Sequence, residues 1–396
     1  AGSIYLAKKE QPVEFVLTRP QKEIQKAVRE FARSKFEKEK VLELITTGQY
    51  PADIRKKAGE LGFCGTHFPE EFEGAGLGLM EYVLVAEEMC RNDSSVGMGL
   101  LLSSFGAECL FRFGRSPLAA QYLPAVVSGK MRCGAAFFEN HGDSDLSGVR
   151  STAVNKKGSL AINGVKRCIA NGQNADFYVL LCRTGTSQEG AEKNLSLVAV
   201  DAKADGVSVR PAGPTLGGSL TGFADAVFEN VSVPETNVLG RPGSGLAHGL
   251  GFLDEARIQT AAMALGTAQG AFERAAAYVG QRSQFGRKLS EFQVIRHKLA
   301  DIYARIDSAR WSVYSAADAF DRGKCDHRTA ASAKLNAAAA AMEASDEAIQ
   351  LLGGYGYMAE YEVEHFYRDA KTLELFTGPP AALKDAISEG ITGKAR

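Results

Sequence analysis

The chain has 396 residues, 45% of them apolar and 23% charged, with a formal net charge of −1 at pH 7. That is enough for two or three packed layers of core, and it gives no electrostatic reason to expect nucleic acid or a membrane surface as partner. Seven cysteines, odd in number, scattered and without a CxxC pair, argue against a disulfide framework or a zinc site and for a reducing compartment.

From residue 12 to about 131 the pattern is helical. Gln21 to Phe36 spaces Ile24, Val28, Phe31 and Phe36 at helical intervals among charges, and Ala52 to Leu61 does so more briefly. Glycines break the pattern between Pro69 and Gly78 before Met80 to Arg91 resumes it. Asn92-Asp93-Ser94-Ser95 then leads into an apolar helix predicted over Val96 to Phe111, with Asp93 placed as its N-cap. No apolar run is expected to approach the roughly 18 to 20 residues of a membrane span, and the amino terminus lacks a charged-then-apolar signal pattern. Between 132 and 240, short apolar segments such as Phe177 to Leu181 and Leu195 to Val200, separated by Gly, Asn and Asp, read as a β-domain. From 241 to 396 long alanine-rich helices are predicted over Phe252 to Gln281, Phe292 to Asp321 and Thr329 to Leu352, a layout that fits a bundle.

The run Tyr367-Arg368-Asp369-Ala370-Lys371, with the loop Pro69 to Gly78 and the stretch Glu87 to Gly97, resembles the acyl-CoA dehydrogenase family, and the likeness covers essentially the whole chain. It implies an α+β fold of three parts: an N-terminal α-helical domain (12–131), a middle β-barrel-like domain (132–240) and a C-terminal four-helix bundle (241–396). It also implies FAD as cofactor, an acyl-CoA thioester as substrate, an electron-transfer flavoprotein as acceptor and a homotetramer. A bacterial cytoplasm is the expected location, with a mitochondrial matrix as the alternative.

Family cofactor motifs match altered residues here. Phe138 and Ala170 stand where the family carries flavin-facing threonines, Cys168 begins the second of these motifs, and Ser144 keeps a phosphate-facing slot. Arg282 and Phe285 in one motif, with Gln350, Gly353 and Gly354 in another, match those that enclose the FAD pyrophosphate and adenine. An arginine fork suits a phosphate, and paired glycines let backbone approach it closely.

On the substrate side, Phe376 precedes Thr377 where the family has its catalytic glutamate, and a threonine hydroxyl is far too weakly basic to take an α-proton. Branched-chain members place that glutamate before Arg257, where this chain has Ala256; Glu255 lies about 100° round the helix and is expected to point elsewhere. Asp93 is the candidate replacement base, with N-capping as the competing role. Gly97 and Met98 fill slots where relatives that bind a second anion carry arginine, so an apolar, open pocket is expected. These features resemble the cyclohex-1-ene-1-carboxyl-CoA dehydrogenase branch. Ordinary 1,2-dehydrogenation with another base, a desulfinase-type reaction and a non-catalytic flavin-binding subunit stand as alternatives.

Overall fold

A computed structural model describes residues 17–114, 116–140, 145–185 and 190–393. The chain begins with α1 (Arg19–Lys35), α2 (Lys38–Thr47), α3 (Ala52–Glu60), α4 (Leu79–Asn92), α5 (Ser94–Leu101), α6 (Glu108–Phe113) and α7 (Ser116–Val127). Helix α1 starts in a capping box, Thr18 accepting the Gln21 N–H while the Gln21 side chain accepts the Thr18 N–H, and it buries Val28, Phe31 and Ala32 on one face. Helix α4 is capped from far along the chain: the Asp321 carboxylate accepts the N–H groups of Leu79 at 2.7 Å and Met80 at 3.0 Å.

The helix predicted over Val96 to Phe111 is broken. A 3-10 turn covers Leu102–Ser104, and Gly106 takes φ +99 where an added Cβ would lie 2.9 Å from the Ala135 Cβ. The Ser103 hydroxyl donates to the Leu100 carbonyl at 2.5 Å, an alternative to the helical ladder that helps end α5. The whole stretch Ser94–Phe113 is nevertheless long and apolar enough to pass for a membrane span, with a mean hydropathy of 1.3, which corrects the expectation that no run approaches that length. Its apolar window is 94% buried inside the protein.

An eight-stranded sheet follows, built from β1 (Cys133–Ala136), β2 (Thr152–Lys156), β3 (Ser159–Ile169), β4 (Phe177–Arg183), β5 (Leu195–Asp201), β6 (Val207–Pro211), β7 (Ala224–Pro234) and β8 (Val238–Leu239). The order is β6-β7-β3-β2-β4-β5-β8, with β1 pairing parallel to β4. One short helix, α8 (Ala191–Asn194), precedes β5. The sheet packs a core of its own around Tyr178, Phe228, Leu180 and Val200.

Helix α9 (Gly245–Gln281) runs to a hairpin of β9 (Ser283–Gln284) and β10 (Arg287–Lys288), then α10 (Gln293–Asp321), α11 (His327–Leu352), α12 (Val363–Leu375) and α13 (Pro380–Thr392) complete the helical part. Alanines on α11, among them Ala333, Ala337, Ala340, Ala344 and Ala348, are buried, which lets α9 and α10 approach closely. A second core cluster joins these helices to α4 and α5, so the N- and C-terminal helices share one interior. The result is the fold expected: helices, then sheet, then helices.

Candidate active site

The cavity that gathers the predicted residues lies between the sheet and the end of α12 and has a volume of about 560 Å³. Phe138, Glu139, Arg167 and Cys168 form its sheet-side wall, and Phe376, Thr377 and Gly378 its helical wall, with Leu216 and Phe223 between. The two sheet segments are held together by the Arg167 N–H, which donates to the Phe138 carbonyl at 2.9 Å. Cys168 takes φ +50 and donates its N–H to Asp225 at 3.1 Å, which turns the chain at the mouth. Ala170 does not reach this wall; it is buried in the apolar core. Ser144 lies outside the described residues.

Glu139 is fixed by four bonds. Its carboxylate accepts from Lys166 at 2.7 Å, from the Ser151 hydroxyl at 2.6 Å, and from the N–H groups of Ser151 and Arg150. Burial acts to raise its pKa, but the Lys166 charge and these bonds prevail and hold it at about 2. A carboxylate so stabilised is a poor proton acceptor.

Thr377 sits on the opposite wall at φ +58, an unfavourable conformation for a β-branched residue. Such a residue stores on the order of 1–3 kcal/mol of strain that its surroundings must hold in place. Its hydroxyl donates to the Thr260 hydroxyl at 3.2 Å, and Thr260 donates to the Ala256 carbonyl at 2.8 Å. The two positions where the family carries a glutamate are therefore joined by a chain of hydroxyls, with no carboxylate at either. Glu255 turns away, as its place on the helix predicts, and pairs with Arg112, its Oε1 2.7 Å from Nη2. Phe376 lines the cavity beside Thr377 and is backed by buried rings: it meets Phe105 at 5.0 Å between centroids, and Phe105 meets Phe252 at 5.1 Å.

Arg257 is buried, bonds Asp254 only at 3.4 Å, and leaves its Nε without a hydrogen-bond partner. Burial lowers its pKa, with Asp254 opposing the shift. A guanidinium so placed has donors available for an anionic ligand.

Of the two roles expected for Asp93, the geometry shows the N-cap. One carboxylate oxygen accepts the Val96 N–H at 2.8 Å and the other lies 2.9 Å from the His365 Nε2, all fully buried and outside the cavity wall. Burial would raise the Asp93 pKa, but His365 more than offsets this and it lies below the usual value. The geometry makes Asp93 the cap of α5 rather than a proton acceptor at the cavity. Asp369, of the Arg-Asp-Ala-Lys run, completes the same hub by accepting from the Ser94 and Ser95 hydroxyls at 2.7 and 2.5 Å and from the Gly218 N–H at 2.8 Å. The two serines after Asp93 were the signal for that link.

Gly97 and Met98 are also corrected. Both are buried away from the cavity, and a Cβ on Gly97 would lie 2.8 Å from the Cys90 backbone nitrogen. The glycine is there because α5 crosses α4 closely, so it does not report an open pocket.

A second cleft, of about 640 Å³, is lined by Arg282, Gln350, Gly353, Gly354 and Tyr355 and shares no residue with the first. Gly353 takes φ +61 and nothing stands within 4 Å of an added Cβ at either glycine, leaving backbone open to a close-lying phosphate. Phe285 is not part of this cleft. It tops the β9–β10 hairpin at φ +53 and is 92% exposed. The first cavity offers room for a tricyclic ring between aromatic and backbone walls, and the second offers an arginine and bare glycines, so both fit parts of a flavin dinucleotide. Among the described residues, no group of three or more His, Cys, Asp or Glu side chains is placed to hold a metal ion.

Three family models match the chain in series: acyl-CoA dehydrogenase N-terminal domain over 18–130, middle domain over 134–231 and C-terminal domain over 243–392. An acyl-CoA dehydrogenase of Bacillus subtilis is 35% identical over 95% of this chain and 99% of its own length. Butyryl-CoA dehydrogenase from Megasphaera elsdenii superposes with a TM-score of 0.91 at 31% identity, covering 96% of this chain and 99% of that one. A chain described as "Electron transferring flavoprotein of Acidaminococcus fermentans: Towards a mechanism of flavin-based electron bifurcation" reaches a TM-score of 0.92 at 34% identity, over 96% and 99%. The chain belongs to the acyl-CoA dehydrogenase family, FAD-dependent oxidoreductases that act on CH–CH groups.

Proposed function

We propose that this protein oxidises an alicyclic thioester that is already α,β-unsaturated, cyclohex-1-ene-1-carboxyl-CoA, to the cyclohexa-1,5-diene thioester by 1,4-elimination, with bound FAD accepting the hydride. The observation that carries this is Thr377: the wall that would face the α-carbon presents a hydroxyl bonded to Thr260. Removing an α-proton from a saturated thioester calls for a positioned base, and neither Thr377 nor Ala256 is one. In a conjugated thioester the γ-proton is acidified through the double bond, so a proton acceptor displaced from the α-carbon suffices. The γ-proton passes to water at the open mouth of the cavity while the hydride leaves the other allylic ring carbon for the flavin. The aromatic rings that line the cavity, Phe138, Phe223 and Phe376, suit an apolar ring. Arg257, with its unpartnered Nε, is assigned to the CoA end of the thioester.

Two assignments accompany this one. An electron-transfer flavoprotein is the acceptor, supported by the similarity to the Acidaminococcus chain. A homotetramer is the assembly, supported by two cofactor clefts that share no residue and by a phenylalanine left 92% exposed beside one of them.

Restoring the missing group tests the reading. Thr377→Glu places a carboxylate on the wall beside Phe376, and the variant is expected to gain oxidation of saturated butyryl-CoA by at least about tenfold, the scale a positioned general base contributes. A wild-type enzyme that already oxidises butyryl-CoA as fast as the ring thioester would refute it.

A further inference from the structure

Two lysines are fully buried among the described residues, and they are unlike. Lys166 pairs with Glu139 at 2.7 Å. Lys334, on the alanine-rich face of α11, lies within ion-pair distance of no carboxylate among the described residues; its Nζ donates instead to the carbonyls of Glu374 at 2.6 Å and Gly378 at 2.8 Å. A buried amine without a carboxylate is costly, and burial lowers its pKa to about 7. An alanine or methionine would fill an apolar helix face at less cost, so the two bonds need a reason.

Where they go supplies one. Glu374 carries one of the carbonyls that α12 leaves without an intrahelical partner at its C-terminal end. Gly378 follows directly on Thr377, at φ +115. The amine thus ties together both ends of the turn that contains Phe376 and Thr377, the strained segment of the cavity wall. We propose that Lys334 is a positioning residue for the thioester site: by bonding the Glu374 and Gly378 carbonyls it holds Thr377 in its left-handed conformation, with the hydroxyl on Thr260 and the Phe376 ring facing the cavity. This rests on the reading of that cavity as the thioester site, but the clamp itself is a property of the fold and can be tested without turnover.

Four proteins are compared: wild type, Lys334→Met, Thr377→Gly and the double variant, each as the flavin-loaded full chain. Glycine adopts φ +58 unaided, so Thr377→Gly removes the need for a clamp. Amide hydrogen exchange across residues 375–383 is read first. Lys334→Met is expected to speed exchange there by about tenfold or more while leaving most of α11 protected, and the same change in the Thr377→Gly background is expected to do much less. In turnover of the ring thioester, the expected split is a kcat reduced by about tenfold with KM changed by less than about threefold, again largely absent in the glycine background.

Equal effects of Lys334→Met in both backgrounds, or faster exchange spread evenly along α11, would overturn the proposal and leave Lys334 a general packing residue. Should Lys334→Met not fold, Lys334→Gln keeps one amide donor and is read in the same way. If no thioester reduces the wild-type flavin, the proposed function falls, while the exchange measurement still decides the clamp.

Discussion

At the scale of single residues, the site differs from its family by what is missing, and four side chains show how far that could be read in advance. Thr377 and Ala256 were legible because each sits in a motif whose neighbours are intact. Asp93 was legible only as a carboxylate beside a helix start; which of its two roles it takes depends on His365, 272 positions away, and no local pattern announces that partner. Lys334 went unread, although a lysine at a core position of an alanine-rich helix was the available signal. Asp93→Asn separates cap from base, because an asparagine oxygen still accepts the Val96 N–H. Turnover of the ring thioester is expected to stay within about threefold of wild type, whereas Asp93→Ala is expected to lose about 0.5–2 kcal/mol of stability in denaturant unfolding. An intact fold with abolished turnover in the asparagine variant would return Asp93 to the role of base.

At the scale of elements, the hub of α5, α12 and the Gly218 loop is what sets the angle of the helix that ends at Phe376. Its charges are Asp93, His365 and Asp369, with Arg274 near them. Burial acts to lower the His365 pKa, but Asp93 and its bond raise it above the ordinary 6.5. A raised folded-state pKa stabilises the protein below pH 6.5 and loses that contribution as pH rises through the folded value. His365→Gln is therefore expected to be less stable than wild type at pH 5.5 to 6, with the gap narrowing as the pH climbs above neutrality. A gap that stays constant from pH 5.5 to 9 would show that His365 acts through its neutral form. The elements themselves were mostly readable: α4, α10 and α11 follow 3.6-residue periodicity to within a few positions. The break after Leu101 was not, because it follows from Gly106 meeting β1, a contact between segments that no local window contains.

At the scale of the whole molecule, the order helices, sheet, helices follows from where apolar periodicity changes, and it places the cavity at the junction where the sheet meets the end of α12. Membership of the family was legible from motif order and spacing. The direction of Gly97 was not, since packing of α5 on α4 fixes it. The central claim is that this junction oxidises an unsaturated ring thioester because its α-carbon faces Thr377 and not a carboxylate. The most direct test is the visible spectrum of the purified flavoprotein under anaerobic conditions, before and after cyclohex-1-ene-1-carboxyl-CoA, with butyryl-CoA and octanoyl-CoA added in parallel. Bleaching of the flavin band by the ring thioester and not by the saturated pair is the expected result; rapid bleaching by butyryl-CoA or octanoyl-CoA would mean that a base serves the α-carbon and would contradict it.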